Sequence, residues 1–300
     1  MATTKDWIVA FRLRTLPLAV SSILLGCFLA YAHGTFSWPV AILAVSTTLL
    51  LQILSNLAND YGDSASGVDG EHRVGPARSV QGGAISAAAM KRAIYGFVAL
   101  SLLSGIGLIV AGALQVGWLT ALLFFGLGLA AIAAAIKYTM GANPYGYQGL
   151  GDVFVLIFFG WVGVLGTFFL HAHQLEVVLL LPATSVGLLA VAVLNLNNMR
   201  DHQSDAKTGK HTLVVKIGFQ AAKVYHTLLL VGAIVATGLY ILLADTDPWL
   251  WMYLLILPML GSNLYKVWTT TEPQQLDPEL KKIALSALLL ALFYGIVAII

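Results

Sequence analysis

The chain has 300 residues, of which 59% are hydrophobic and only 10% are charged, and its formal net charge at pH 7 is +2. This composition excludes a soluble globular protein and predicts an all-α polytopic membrane protein. The small net charge gives no indication of nucleic-acid binding, and the single cysteine, Cys27, excludes an internal disulfide or a metal cluster built on cysteines.

Nine apolar segments each approach the length of about 20 residues that a helix needs to cross a membrane. We therefore predict nine transmembrane helices, at about residues 16–33, 39–57, 93–114, 118–137, 153–170, 177–197, 224–243, 249–266 and 283–300. The loops between them are too short to hold a soluble domain. Residues 1–300 are thus interpreted as one integral-membrane domain, with a cytoplasmic N-terminal segment at 1–15.

The positive charges are distributed asymmetrically among these segments. If the N-terminus is cytoplasmic, all 16 Lys and Arg residues lie in inner segments or at the span ends that border them. Because basic residues are enriched on the cytoplasmic side of membrane proteins, this distribution predicts a cytoplasmic N-terminus and a C-terminus at the outer face.

The first acidic stretch, "SNLANDYGDSASGVDGEHRVGPAR", follows the second apolar segment. If that helix continues through residue 63, Asn56, Asp60 and Asp63 lie on one helical face. Carboxylates one turn apart repel each other unless a cation lies between them. Two basic residues, Arg73 and Arg78, follow these acids.

Aromatic residues concentrate in the loop between the fourth and fifth segments, "KYTMGANPYGYQGLGD" at 137–152. Lys137, Tyr138, Tyr145 and Tyr147 occur there among glycines that permit the backbone to close over a ligand. Tyrosine is also enriched at membrane interfaces, and Asp152 is in a position to cap the next helix. The loop is therefore a weaker candidate for a binding region than the acidic stretches.

A second acidic stretch, "NLNNMRDHQSDAKTGK" at 195–210, follows the sixth segment. If that helix continues through residue 205, Asn197, Asp201 and Asp205 also share one face. The alternative is that both stretches are solvated loops, in which Asn and Asp are common turn residues. Two matching acidic faces with basic neighbours instead favour a Mg²⁺-bound polyphosphate, whose remaining oxygens are bound by Arg and Lys. The basic neighbours of the second face are Arg200, Lys207 and Lys210.

These motifs resemble the paired aspartate motifs of the UbiA superfamily of intramembrane prenyltransferases. "RLRTLP" before the first segment, "NLANDYGD", "GPAR", "YTMGANPYGYQGLGDVFVLIFFG" and "NNMRD…KTGKHTL" are most similar to the branch that prenylates 1,4-dihydroxy-2-naphthoate. One position departs from the pattern. Many members place a further Asp four residues after the second Asp of the first motif, whereas this chain has Gly67 there and its next acid is Asp69.

The resemblance implies nine helices around a central cavity that is capped by cytoplasmic loops, in the plasma (inner) membrane. It implies transfer of a polyprenyl group from polyprenyl diphosphate to 1,4-dihydroxy-2-naphthoate, with loss of diphosphate and CO₂, giving demethylmenaquinone. An allylic cation, formed with the help of Mg²⁺, would be captured by the aromatic ring. Loop 137–152 would then hold the acceptor and act as a lid.

This reaction assigns roles to the candidate residues. We predict that the catalytic carboxylates are Asp60, Asp63, Asp201 and Asp205. The predicted Mg²⁺ ligands are those four residues with Asn56 and Asn197. The predicted substrate-binding residues are Arg73, Arg78, Lys137, Tyr138, Tyr145, Tyr147, Arg200, Lys207 and Lys210.

Two other functions remain open at this point. A sister enzyme could prenylate 4-hydroxybenzoate, homogentisate or a porphyrin, because the acidic motifs do not specify the acceptor. A secondary transporter could also use intramembrane acids, but transporters place them near the bilayer midplane, whereas these acids border the cytoplasm. The prenyl chain length, the number of Mg²⁺ ions and the oligomeric state are not determined by the sequence.

Overall fold

The computed structural model describes residues 2–67, 78–244 and 246–300. Within these ranges the chain has nine helices that are long and apolar enough to cross a membrane, which confirms the predicted all-α fold. We number them as spans one to nine. They comprise Thr4–Ala32, Trp38–Ala65, Ala87–Val116, Trp118–Lys137, Gly151–Ala172, Val177–Lys207, Phe219–Leu243, Pro248–Thr269 and Pro273–Ile299.

Spans two and six extend beyond their apolar segments. The acidic residues of each motif share one helical face only if the helix continues in this way. The α-helices of these spans are Trp38–Ala65 and Leu180–Lys207. Each ends just before a glycine in the left-handed conformation, Gly67 with φ 72° and Gly209 with φ 76°. Glycine adopts this conformation without a steric penalty and so terminates helices. The predicted continuation of both helices through their acidic residues is therefore confirmed.

Span one is broken near its N-terminal end. A short helix, Thr4–Phe11, leads through Arg12, whose φ is 50°, and a 3₁₀ turn into the helix Leu16–Ala32. The side-chain amide of Asn56 donates to the carbonyl of Phe11 at 2.9 Å and to the hydroxyl of Thr15 at 3.0 Å. Span two thus satisfies backbone and side-chain groups that the break exposes.

Span five is α-helical at both ends and π-helical at Leu156–Gly166. It packs closely against span six, where a Cβ on Gly160 would lie 2.8 Å from the carbonyl oxygen of Ala183 and 3.0 Å from the Cα of Gly187. Small residues allow such close backbone approach between membrane helices. Span six also packs against spans seven and nine, so it is held on several sides.

The packing of Gly160 can be tested by substitution. We expect Gly160→Val to lower the free energy of unfolding by about 1–3 kcal/mol, because the added side chain would overlap span six. The measurement is the thermal unfolding midpoint of the purified protein in detergent. Gly126→Val in span four is the control, since a Cβ at Gly126 meets no other atom within 4 Å. Equal midpoints for both variants would contradict the packing role.

Candidate active site

A cavity of about 930 Å³ lies among the helices. Spans one to six and span nine contribute residues to its lining, together with the loops that follow spans two, four and six. Its ionisable side chains come from the loops and from the span ends that border the acidic motifs. The remaining wall is built largely from apolar side chains of spans one to six. The cavity therefore has one polar end and a long apolar interior.

The first acidic motif is enclosed by the segment that follows it. Both oxygens of Asp60 accept backbone hydrogen bonds, from Ser79 at 2.9 Å and from Val80 at 3.1 Å. Asp63 pairs with Arg78, whose Nη2 lies 2.6 Å from its Oδ2. Because both carboxylates are buried, these donors replace the water that would otherwise solvate them.

The second motif is organised around Arg200, which is buried in span six. Its guanidinium donates to both oxygens of Asp201, at 2.8 and 2.6 Å, and to Oδ1 of Asn197 at 2.8 Å. A further donor of Arg200 reaches Asp277 at the start of span nine, and Asp277 also accepts from Arg14 at 3.3 Å. One arginine thus connects span six with span nine.

The predicted lid loop contributes Tyr147, which connects the two acidic motifs. Its hydroxyl donates to Oδ1 of Asp63 at 2.8 Å. The ammonium group of Lys210 lies 5.5 Å from the centre of the Tyr147 ring, within the range of cation–π attraction. Lys210 also lies 3.6 Å from Oδ1 of Asp205. The chain Asp63–Tyr147–Lys210–Asp205 therefore joins residues far apart in the sequence at one end of the bundle.

The other two tyrosines of this loop line the cavity. Burial raises the pKa of Tyr138 well above its ordinary value, and nearby Tyr145, Asp152, Asp63 and Asp205 raise it further. Burial also raises the pKa of Tyr145, whose hydroxyl donates to the carbonyl of Ala134 at 2.9 Å. Both phenols therefore stay protonated at neutral pH. Negative charge from each acidic motif reaches Tyr138, as expected if the two motifs face one site.

Among the described residues, three of the predicted substrate-binding residues do not line the cavity: Lys137, Tyr147 and Lys207. Lys137 and Lys207 are exposed at the ends of spans four and six and are absent from the lining. Arg73 lies outside the described residues, as does Asp69. The roles assigned to them stay predictions.

Sequence reasoning missed Arg14 and Asp277, which complete the pairing of Arg200. Both belong to recognisable local patterns. Arg14 is the second arginine of "RLRTLP", and Asp277 is the acid before proline at the start of span nine, in "LDPEL". The available signal was a charged residue that borders an apolar span at the same end as the acidic motifs. That signal did not identify which residue it would pair with.

The chemistry of the donors fits a hard divalent cation. Asp205 has one carboxylate oxygen, Oδ2, that is buried without a hydrogen-bond partner among the described residues. Asp60, Asp63 and Asn197 line the cavity and present further oxygen atoms, whereas Asp201 and Asp205 are not among its lining residues. Within the described ranges, however, no three His, Cys, Asp or Glu residues are grouped so as to hold a metal ion. The arrangement therefore fits Mg²⁺ that completes its coordination with water and a substrate phosphate, as Mg²⁺ commonly does.

The chain is similar to known proteins along nearly its whole length. The sequence model of the UbiA prenyltransferase family matches residues 19–288. A protein of Escherichia coli (strain K12) named 1,4-dihydroxy-2-naphthoate octaprenyltransferase is 45% identical over 294 residues, which cover 98% of this chain and 95% of the relative. Its namesake in Haemophilus influenzae is 43% identical, with 97% and 95% covered. The solved structure of a UbiA homolog from Archaeoglobus fulgidus bound to GPP and Mg²⁺ has a TM-score of 0.66 at 18% identity, covering 96% of this chain and 99% of that chain.

The pairing of Arg200 predicts a stability effect. We expect Arg200→Gln to lower the free energy of unfolding by about 3–5 kcal/mol, because it leaves the buried carboxylate of Asp201 without its cation. The measurement is the thermal midpoint in detergent. Arg92→Gln, at an exposed position of span three, is the control and should change the midpoint little. A midpoint for Arg200→Gln as high as that of the control would contradict the pairing.

Proposed function

Because the chain belongs to the UbiA prenyltransferase family, we propose that it transfers a polyprenyl group from polyprenyl diphosphate to 1,4-dihydroxy-2-naphthoate. Diphosphate and CO₂ are released, and the product carries the prenylated naphthoquinone skeleton of demethylmenaquinone. The naphthoate octaprenyltransferases of Escherichia coli and Haemophilus influenzae support this choice of acceptor. The observation that carries the proposal is the meeting of two acidic motifs at the polar end of an apolar cavity.

The protein acts as a multi-pass protein of the plasma (inner) membrane. The N-terminus and the loops of the site face the cytoplasm, and the C-terminus ends at the outer face. The confinement of all 16 Lys and Arg residues to one set of segments supports this orientation. A soluble, charged acceptor acid would then reach the site from the cytoplasm, and the prenyl tail would enter from the lipid phase.

The diphosphate is bound where the buried ion pairs now lie. Arg78, Arg200 and Lys210 line the cavity and supply fixed positive charge to the phosphate oxygens. Mg²⁺, when bound, acts as a Lewis acid that stabilises negative charge on the leaving diphosphate. The residues that would hold it are Asn56, Asp60, Asp63, Asn197, Asp201 and Asp205. In the structure these carboxylates and basic side chains neutralise each other. With the ligand bound, the carboxylates would face the metal and the basic side chains would face the phosphate oxygens.

Ionisation breaks the bond between the first carbon of the tail and its diphosphate oxygen. The departing electron pair stays on oxygen, and the basic side chains stabilise the new charge without first having to reorganise. The rings of Tyr138, Tyr145, Phe154 and Phe158 line the cavity near this end. Aromatic faces attract a carbocation, and their apolar bulk excludes the water that would quench it.

The acceptor ring captures the cation beneath the lid loop. A new carbon–carbon bond forms at the ring carbon that bears the carboxylate, and loss of CO₂ returns the electron pair that restores aromaticity. Tyr138 is protonated at neutral pH, because the ordinary pKa of tyrosine is about 10 and burial and neighbouring acids raise it further. Its hydroxyl can therefore donate a hydrogen bond to an oxygen of the acceptor. Tyr147 and Lys210 hold the loop against both acidic motifs.

The acceptor is identified by an assay on purified protein. We expect incubation with a radiolabelled prenyl diphosphate and Mg²⁺ to give a prenylated product with 1,4-dihydroxy-2-naphthoate, together with CO₂. A panel containing 4-hydroxybenzoate, homogentisate and a porphyrin serves as the comparison. If product formed only from 4-hydroxybenzoate, the acceptor would be 4-hydroxybenzoate and not the naphthoate, and the reaction would still be a prenyl transfer. No transfer to any aromatic acid would overturn the function itself.

The role of the first motif is tested by Asp63→Asn, which keeps the size of the side chain and removes its charge. We expect kcat to fall by about 10²–10³-fold, the usual cost of losing one group that organises the charge at a reacting centre. Added Mg²⁺ should not restore the rate. Glu272→Gln, at an exposed position outside the cavity, is the control. Full activity of Asp63→Asn would remove this carboxylate from the site.

A further inference from the structure

The apolar part of the cavity runs beside span four. Six residues of this span line the cavity, namely Phe124, Leu127, Gly128, Ala131, Ala134 and Ala135. The neighbouring residues Ala130 and Phe125 are exposed on the outside of the span. One face of span four is thus a wall along which a bound tail must pass, and the opposite face meets lipid.

The depth of this wall can be measured from the acidic motif. Just after span four, the hydroxyl of Thr139 donates to the carbonyl of Ala58 at 3.1 Å, so Thr139 is level with Asp60. Ala131 precedes Thr139 by eight residues and Phe124 precedes it by fifteen. At a helical rise of 1.5 Å per residue, Ala131 lies about 12 Å and Phe124 about 22 Å from the level of the acids.

These depths correspond to numbers of isoprene units. One unit contributes four carbon–carbon bonds and advances an extended tail by about 5 Å. The first two units therefore end before Ala131, and the fifth unit ends near Phe124. Phe124 is the lining residue of span four that lies farthest from the acids, and Leu170 and Ile109 also line the cavity. The ring of Phe124 is held by stacking on Phe169, with 5.5 Å between ring centres.

From this geometry we propose that the cavity-facing side of span four determines how kcat/KM depends on the length of the prenyl tail. Ala131 leaves the passage open to the third unit and beyond, and Phe124 closes it after about five units. The inference rests on the proposed prenyl transfer. It adds how the efficiency of that transfer depends on the length of the donor's tail. Tails of more than five units, including octaprenyl, bury no further units along this wall. We therefore expect kcat/KM to rise with donor length up to about five units and then to level off.

The test compares donors on either side of Ala131. Geranyl diphosphate has two isoprene units and geranylgeranyl diphosphate has four, and kcat/KM is measured for each with 1,4-dihydroxy-2-naphthoate and Mg²⁺. We expect Ala131→Phe to lower the ratio of geranylgeranyl to geranyl efficiency by at least about tenfold, the effect of excluding a methylene-sized group or more from an apolar pocket. Ala131→Leu should give a smaller decrease. Ala130→Phe, which adds the same side chain on the lipid side, should leave the ratio unchanged.

Each outcome distinguishes this inference from the function on which it rests. Wild-type protein that transfers neither of these tails nor octaprenyl would overturn the proposed function and the inference with it, whereas transfer of octaprenyl alone would overturn only the inference. Active wild-type protein whose length ratio is the same in Ala131→Phe and Ala130→Phe would overturn only the inference. Equal loss of both donors in Ala131→Phe, with a wild-type thermal midpoint, would also overturn it, because the added ring would then disturb the diphosphate end.

Discussion

Buried carboxylates at one end of an apolar bundle must be neutralised, and the arrangement of the molecule follows from how this is done. Asp63 and Asp201 each face an arginine, and Asp205 faces Lys210. Removing charged groups from water is costly unless opposite charges and hydrogen bonds replace the solvent. The pairs therefore bind together the loop after span two, the lid loop, span six and span nine.

The same requirement prepares the site for its ligand. In the proposed function the ligand is a metal-bound diphosphate, which carries positive and negative charge in one group and so can take over both members of each ion pair. The carboxylates would gain the metal cation, and the arginines and Lys210 would gain the phosphate oxygens. Because the charges are already in place and shielded from bulk water, little reorganisation is needed when the diphosphate leaves.

The cavity separates two kinds of chemistry along its length. One end holds the charged groups, and the interior is apolar and aromatic. This division matches a donor with an anionic head and a hydrocarbon tail. In the proposed reaction it also keeps water from the carbocation, since the tail itself fills the passage through which water would enter. Tyr147, bound to Asp63 and beneath Lys210, holds the loop at 137–152 against the charged groups.

Much of this organisation is determined by the sequence alone, because hydropathy, charge asymmetry and helical period are local properties. They gave the nine spans, the all-α class and the acidic faces of spans two and six, and the motifs gave the family, which the comparisons confirm. The tertiary structure decided which charges meet. Arg200 reaches Asp277 from 77 residues away, and Tyr147 reaches Asp63 from 84. Such partners are set by the packing of whole helices, which no local pattern encodes. For the same reason the break in span one, the π-helical turn of span five and the depth of the cavity became visible only in the folded chain.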